Sequence, residues 1–187
     1  ETQPDDTGLN DLQLVSDTRN ISIGVGIPTK KEKGICISMI LFQPYSPRKM
    51  YSKKYLHPDE DEFFVRGENF SSLKIKDLDI TFAICYEISV AEHLDQAVKS
   101  GSKIYIASVA KFTNGIDKAL KTLSATAGKY AMTVLMSNCV GQCDGQECGG
   151  KSSIWNNRGS LMGQLDNTNE GILVLDVETG EVISETM

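Results

Sequence analysis

The chain has 187 residues, 40% of them hydrophobic and 24% charged, which is the composition of one globular domain able to bury a core without disulfide or metal staples. A formal net charge of -6 argues against a nucleic-acid surface or a polybasic membrane patch, so the expected partners are small molecules or other protein chains. No apolar run approaches the ~20 residues of a membrane span, and the first six residues are too polar for a secretory leader. Five cysteines, an odd count without a disulfide-framework spacing, set a cytoplasmic location as the expectation.

No repeat, low-complexity tract or Pro/Gly/Ser linker divides the sequence, which reads as a single domain over residues 1–187. Leu9, Leu12, Leu14 and Val15 share one face of a helix that Asn20 ends. A strand over 21–27 is expected to stop at Pro28. A second strand covers 35–42, interrupted by Ser38, and a third covers 50–56 ahead of an acidic loop at 58–62. Residues 72–75 and 78–84 form a hairpin across Lys76 and Asp77. A helix over 90–99 closes at Ser100 and Gly101, where glycine suits a left-handed C-cap. A buried strand (103–109), a helix (116–130) and a strand (133–137) follow. Strands at 152–155 and 170–177 flank a turn at Arg158 and Gly159, and a last strand at 181–185 follows a turn at Thr179 and Gly180. Strand and helix alternate, and the apolar strands are of both alternating and continuous kinds. The pattern predicts an α/β layered sandwich without fixing strand order.

Residues 78–84 deliver Cys85 to the C-terminal end of a buried strand, and Tyr86 and Glu87 lead toward a helix. A strand-to-helix turn lifts a side chain above the sheet and aims backbone N–H groups into the same space. Such donors hold an oxyanion, while the helix N-terminus favours a thiolate. Position alone leaves nucleophile and buried structural cysteine in balance.

Ala83-Ile84-Cys85-Tyr86-Glu87, with Glu92 and His93 beyond it, resembles the nucleophile block of the nitrilase superfamily. Tyr51-Ser52-Lys53-Lys54-Tyr55-Leu56-His57 resembles the lysine block. Gly150-Lys151-Ser152-Ser153-Ile154 and Glu170-Gly171-Ile172 resemble two later strands of the family. The four blocks stand in family order and cover nearly the whole chain. The resemblance implies a four-layer α-β-β-α sandwich, a homodimer or higher homo-oligomer, and no cofactor or metal. It further implies hydrolysis of a small amide, with nitriles the less favoured substrates. Cys85 attacks the amide carbon, releases ammonia or an amine from the resulting thioester, and is freed by water. Lys53 stays protonated and stabilises the oxyanion together with the Tyr86 N–H, while its charge lowers the thiol pKa. Glu60 orients Lys53, with Glu62 the competitor if the register slips. Ala110, Lys111 and Phe112 line the substrate pocket, and Asn138 contacts substrate at the start of a glycine-rich loop.

Without the resemblance, Lys53 reads as a solvated lysine beside Lys54, and Glu60 as one of four successive carboxylates on a solvated loop. His57 reads as a structural or surface residue and His93 as a packing residue. Cys139, Cys143 and Cys148 invite a zinc or redox reading, but zinc takes four ligands with paired short spacings and no fourth is evident. A flexible loop near the pocket or at a dimer interface is the preferred assignment. The family's general base is a glutamate ahead of the helix that here begins near Leu9. The chain therefore reads as the C-terminal two-thirds of the domain, N-terminally truncated, with Glu1 the one residue near that position. Two alternatives remain: a catalytically inactive scaffold or binding protein of the same fold, and an unrelated cysteine hydrolase using His93 as its base.

Overall fold

Asn20 takes the left-handed conformation (φ 53°) that ends helix α1 (Asn10–Arg19) and turns the chain into an antiparallel sheet. The structure, a computed structural model, describes residues 3–68, 72–75 and 77–187. It divides into two units, Glu1–Ser71 and Ser72–Met187. The first unit holds α1 and a three-stranded sheet ordered β1 (Ile23–Lys31), β2 (Gly34–Phe42) and β3 (Lys49–Ser52). Central strand β2 supplies the core through Cys36, Met39, Ile40, Leu41 and Phe42, all buried.

Three local expectations need correcting in this unit. The first strand does not stop at Pro28, which sits opposite Ile37 within β1. β1 lies at the edge of its sheet, where a missing amide donor is tolerated. The apolar stripe expected on α1 leaves Leu14 and Val15 exposed, and the buried residue is Ser16, whose hydroxyl donates to the Ile21 carbonyl at 2.6 Å. The strand expected over 50–56 ends at Ser52, beyond which the chain bends toward a 3-10 turn, Pro58–Glu60.

Ser38, the interruption in an apolar strand, belongs to a buried hydroxyl ladder across all three strands. Its Oγ lies 2.6 Å from Thr29 Oγ1 and 2.9 Å from Ser52 Oγ. Ser38→Ala removes the hydroxyl that both neighbours share and is expected to cost about 1–3 kcal/mol in denaturant unfolding. A loss below about 0.5 kcal/mol would show that Thr29 and Ser52 do not depend on it.

The second unit is built on a six-stranded sheet ordered β11-β10-β7-β6-β5-β4. Its strands are β4 (Ser72–Ile75), β5 (Leu78–Ile84), β6 (Ile104–Val109), β7 (Thr133–Asn138), β10 (Ser153–Trp155) and β11 (Leu161–Gln164). A short hairpin, β8 (Gln142–Cys143) with β9 (Gln146–Glu147), and the terminal hairpin, β12 (Gly171–Leu175) with β13 (Val182–Thr186), each form a separate two-stranded sheet. The three central strands β5, β6 and β7 are parallel, as their helical crossovers α2 (Ala91–Lys99) and α3 (Ile116–Tyr130) require. Phe82, Ala83, Tyr105, Ala107, Val134 and Met136 fill the sheet and are buried. The hairpin expected across Lys76 and Asp77 forms as β4 with β5, although Lys76 itself lies outside the described residues.

The register fixes where chemistry can sit in this unit. Ile84 lies beside Ser108, Ser108 beside Ser137, and Val109 beside Asn138. Three parallel strands therefore end level and release Cys85, Ala110 and Cys139 at one end of the sheet, the end where open α/β sheets bind ligands.

Candidate active site

Lys53 follows the last residue of β3, and its side chain is wholly buried. Its backbone is held on both sides, the N–H donating to the Ile37 carbonyl and the carbonyl accepting from Gly67 N–H, each at 2.8 Å. A Cβ at position 67 would collide with the Ser52 carbonyl, so this close approach requires glycine. Lys53 Nζ donates to Glu60 Oε1 at 2.7 Å and Oε2 at 2.6 Å. Glu60 Oε2 also accepts the His57 N–H at 2.7 Å. Pro58 opens the 3-10 turn, and Glu60, as its third residue, folds back over the cap. The loop is thus solvated except at Glu60, its other three carboxylates being exposed. Glu60 meets the lysine, whereas Glu62 is exposed. A buried ammonium is tolerated here because a two-oxygen carboxylate neutralises it.

Cys85, partly exposed, has φ 48°, a left-handed conformation that a side chain takes only under constraint. It opens a 3-10 turn, Cys85–Ser89, between β5 and α2. The constraint comes from Glu87, whose buried Oε2 accepts the Ile84 N–H at 2.8 Å and closes the elbow. The same oxygen lies 3.7 Å from His93 Nε2, and the His93 Nδ1 lies 3.0 Å from the Tyr105 hydroxyl, all three side chains being buried. Burial, reinforced by the charge of Glu87, pushes the Tyr105 hydroxyl well above the ordinary tyrosine range. His93, weighed above as a base for Cys85, is instead engaged at both ring nitrogens within this cluster.

Ala110 is exposed and Lys111 and Phe112 are partly so. Asn138 braces them. Its Oδ1 accepts the Lys111 N–H at 2.8 Å, and its Nδ2 donates to the carbonyls of Lys111 (3.1 Å) and Gly150 (2.8 Å). The side chain expected on substrate is thus occupied with the backbone beside the expected pocket. Nearby, Asp166 turns the loop after β11. The Asn169 N–H, then the Asn169 side chain and the Thr168 N–H, hold its carboxyl well below the usual carboxylate range. Its stabilising contribution is complete above about pH 4, the ordinary aspartate value, and is lost as pH falls toward the folded-state value. A carboxyl-carbon NMR titration is expected to show Asp166 still ionised at pH values where ordinary aspartates are protonated; titration with the other aspartates would count against these hydrogen bonds.

Sequence reasoning missed Gly67, and it missed the roles of Glu87 and Tyr105. A tyrosine inside a continuous apolar strand was the available signal, because a buried hydroxyl needs a partner. Among the described residues, no group of three or more His, Cys, Asp or Glu is arranged to hold a metal ion. Among the same residues, no helix is long and apolar enough to cross a membrane.

The carbon-nitrogen hydrolase family profile matches residues 3–184. The chain belongs to the carbon-nitrogen hydrolase family. Solved structures show the same fold for this family member. A mutant amidase from Nesterenkonia sp. AN1 is 21% identical with a TM-score of 0.74, over 85% of this chain and 64% of its own. That structure is described as showing the result of Michael addition of acrylamide at the active site cysteine. Nit3 of Saccharomyces cerevisiae, from branch 10 of the nitrilase superfamily, is 18% identical with a TM-score of 0.80, over 98% of this chain and 66% of its own. The glutamine-dependent NAD+ synthetase of Acinetobacter baumannii is 18% identical with a TM-score of 0.82, over 93% of this chain and 34% of its own. The chain thus spans about two-thirds or less of each. Comparison with curated proteins gives no match. The α/β expectation and the nitrilase-superfamily fold are met. Glu1, considered as general base, lies outside the described residues.

Proposed function

We propose that this carbon-nitrogen hydrolase family member cleaves the amide bond of a small molecule through a thioester on Cys85. The observation that carries the reading is Cys85 itself, partly exposed and held at φ 48° where a parallel central strand meets a 3-10 turn. A structural cysteine gains nothing from that backbone, whereas a nucleophile gains exposure and nearby amide donors. In the proposed reaction the thiolate attacks the carbonyl carbon. The Tyr86 N–H and the Lys53 ammonium receive the developing oxyanion, and Glu60 fixes the lysine. Collapse expels ammonia or an amine, and water cleaves the thioester to return the thiol. Ala110, Lys111 and Phe112 form the wall against the acyl group, with Asn138 acting through the backbone it holds. The two units would then work as one catalytic domain, in a homodimer or larger assembly.

The test combines ammonia release from short aliphatic amides with limiting iodoacetamide at neutral pH and peptide mapping. Ammonia release together with alkylation of Cys85 ahead of the other four cysteines is expected. Slow, unselective alkylation without ammonia would replace this reading with the inactive scaffold of the same fold.

A further inference from the structure

We propose that Cys139 and Cys148 form a reversible dithiol–disulfide pair, a redox modification site at the base of the glycine-rich loop and separate from Cys85. The two Sγ atoms lie 2.9 Å apart, and both cysteines are free thiols. The backbone already closes the loop around them. Cys148 N–H donates to the Gly141 carbonyl at 2.8 Å, and Gly150 N–H donates to the Cys139 carbonyl at 3.0 Å. Joining the sulfurs therefore needs little chain movement, which is the usual obstacle to a disulfide. The tip of the loop is the β8 and β9 hairpin, turning at Asp144 (φ 49°) and Gly145 (φ 70°). Cys143 sits at that tip and is exposed.

The two paired thiols differ in access. Cys148 is wholly buried, whereas Cys139 is partly exposed and lines a cleft of about 270 Å3 with Val140, Lys151 and Asp166. Contact with Cys139, and then burial, holds the Cys148 thiol above the ordinary cysteine range. Of these two, Cys139 is accordingly the thiol that meets an oxidant first. With a low-molecular-weight disulfide such as glutathione disulfide, the Cys139 thiolate attacks one sulfur, breaks the S–S bond and expels one glutathione thiolate. Cys148 then gives up its proton and attacks the Cys139 sulfur, displacing the second glutathione. The protein loses two electrons and two protons, and glutathione disulfide becomes two thiols.

The pair bears on the segment after β6. Cys148 bridges Phe112, Gly149 N–H donates to the Lys111 carbonyl at 2.8 Å, and Thr113 N–H donates to the Glu147 carbonyl at 3.0 Å. Asn138, the neighbour of Cys139, holds the other side of Lys111. A bond between the sulfurs joins the two supports of residues 111–113 and so restrains that segment.

Wild-type protein and the variants C143S and C139S are equilibrated across glutathione redox ratios, quenched in acid, alkylated and mapped by mass spectrometry. The expected result is loss of two alkylatable thiols to a link between Cys139 and Cys148. That link should be reversed by reduced glutathione, kept in C143S and lost in C139S. Amide exchange at Thr113 and Gly149 is expected to slow in the oxidised form. A link that uses Cys143, a mixed disulfide at Cys139 that Cys148 leaves unresolved, or free thiols at the most oxidising ratio would each overturn the pair. Unchanged exchange at Thr113 and Gly149 would overturn its effect on the segment. None of these readouts depends on amide turnover, so failure here is distinguishable from failure of the catalytic reading.

Discussion

Cys85→Ala is expected to lower kcat for amide hydrolysis by about four orders of magnitude or more while leaving the fold intact. In the proposed reaction every covalent step passes through one sulfur, and the oxyanion donors have nothing to stabilise until a tetrahedral centre forms on it. Alanine removes only the thiol. It leaves in place the Ile84 N–H bond to Glu87 and the buried contacts of Glu87, His93 and Tyr105 that shape the elbow. Single-turnover ammonia release gives the rate, and circular dichroism with thermal unfolding shows that the fold survives. A variant within tenfold of wild type would remove Cys85 from the mechanism.

Glu60→Ala is expected to destabilise the N-terminal unit by about 3–5 kcal/mol, and Lys53→Met by distinctly less. The asymmetry follows from burial. Lys53 is wholly buried, so deleting Glu60 leaves an ammonium in the interior without the carboxylate that neutralises it. Deleting Lys53 leaves a carboxylate whose side chain is 24% exposed and still accepts the His57 N–H, so water takes over part of its solvation. Methionine also fills much of the space of the lysine stem. The double variant is expected to recover most of the loss caused by Glu60→Ala, because the stranded charge is gone. Urea unfolding of the four proteins forms the cycle. Additive losses would show that the pair is not coupled, and an equal loss for both single variants would contradict the burial argument. All three variants are expected to lose turnover, since Lys53 is assigned to the oxyanion and Glu60 to holding Lys53 in place.

The large elements were legible because their signals are periodic and long. The fifteen residues of α3 and the apolar run of β5 could hardly form anything else. Pro28 misled because proline reads as a strand breaker unless the strand is known to be an edge, and edge position is a property of the sheet. β11 and the β8 and β9 hairpin are too short for any period to show. At the site, Cys85, Lys53 and Glu60 were visible only through spacing that resembles a family. Their physical context was not visible. That Lys53 is buried depends on Gly67 and Ile37, residues distant in sequence that fix its backbone. That Asn138 braces Lys111 depends on the level ends of β6 and β7, which no local pattern encodes.

The left-handed backbone at Cys85 also bears on how such a chain would drift. A residue other than glycine or asparagine pays roughly 1 kcal/mol or more to sit at φ 48°, so for folding alone cysteine is a poor occupant of position 85. A lineage released from selection for its thiol would gain stability by fixing glycine or asparagine there, without disturbing the strand before it or the turn after it. The identity of that single residue would therefore separate relatives that use the thiol from those that do not.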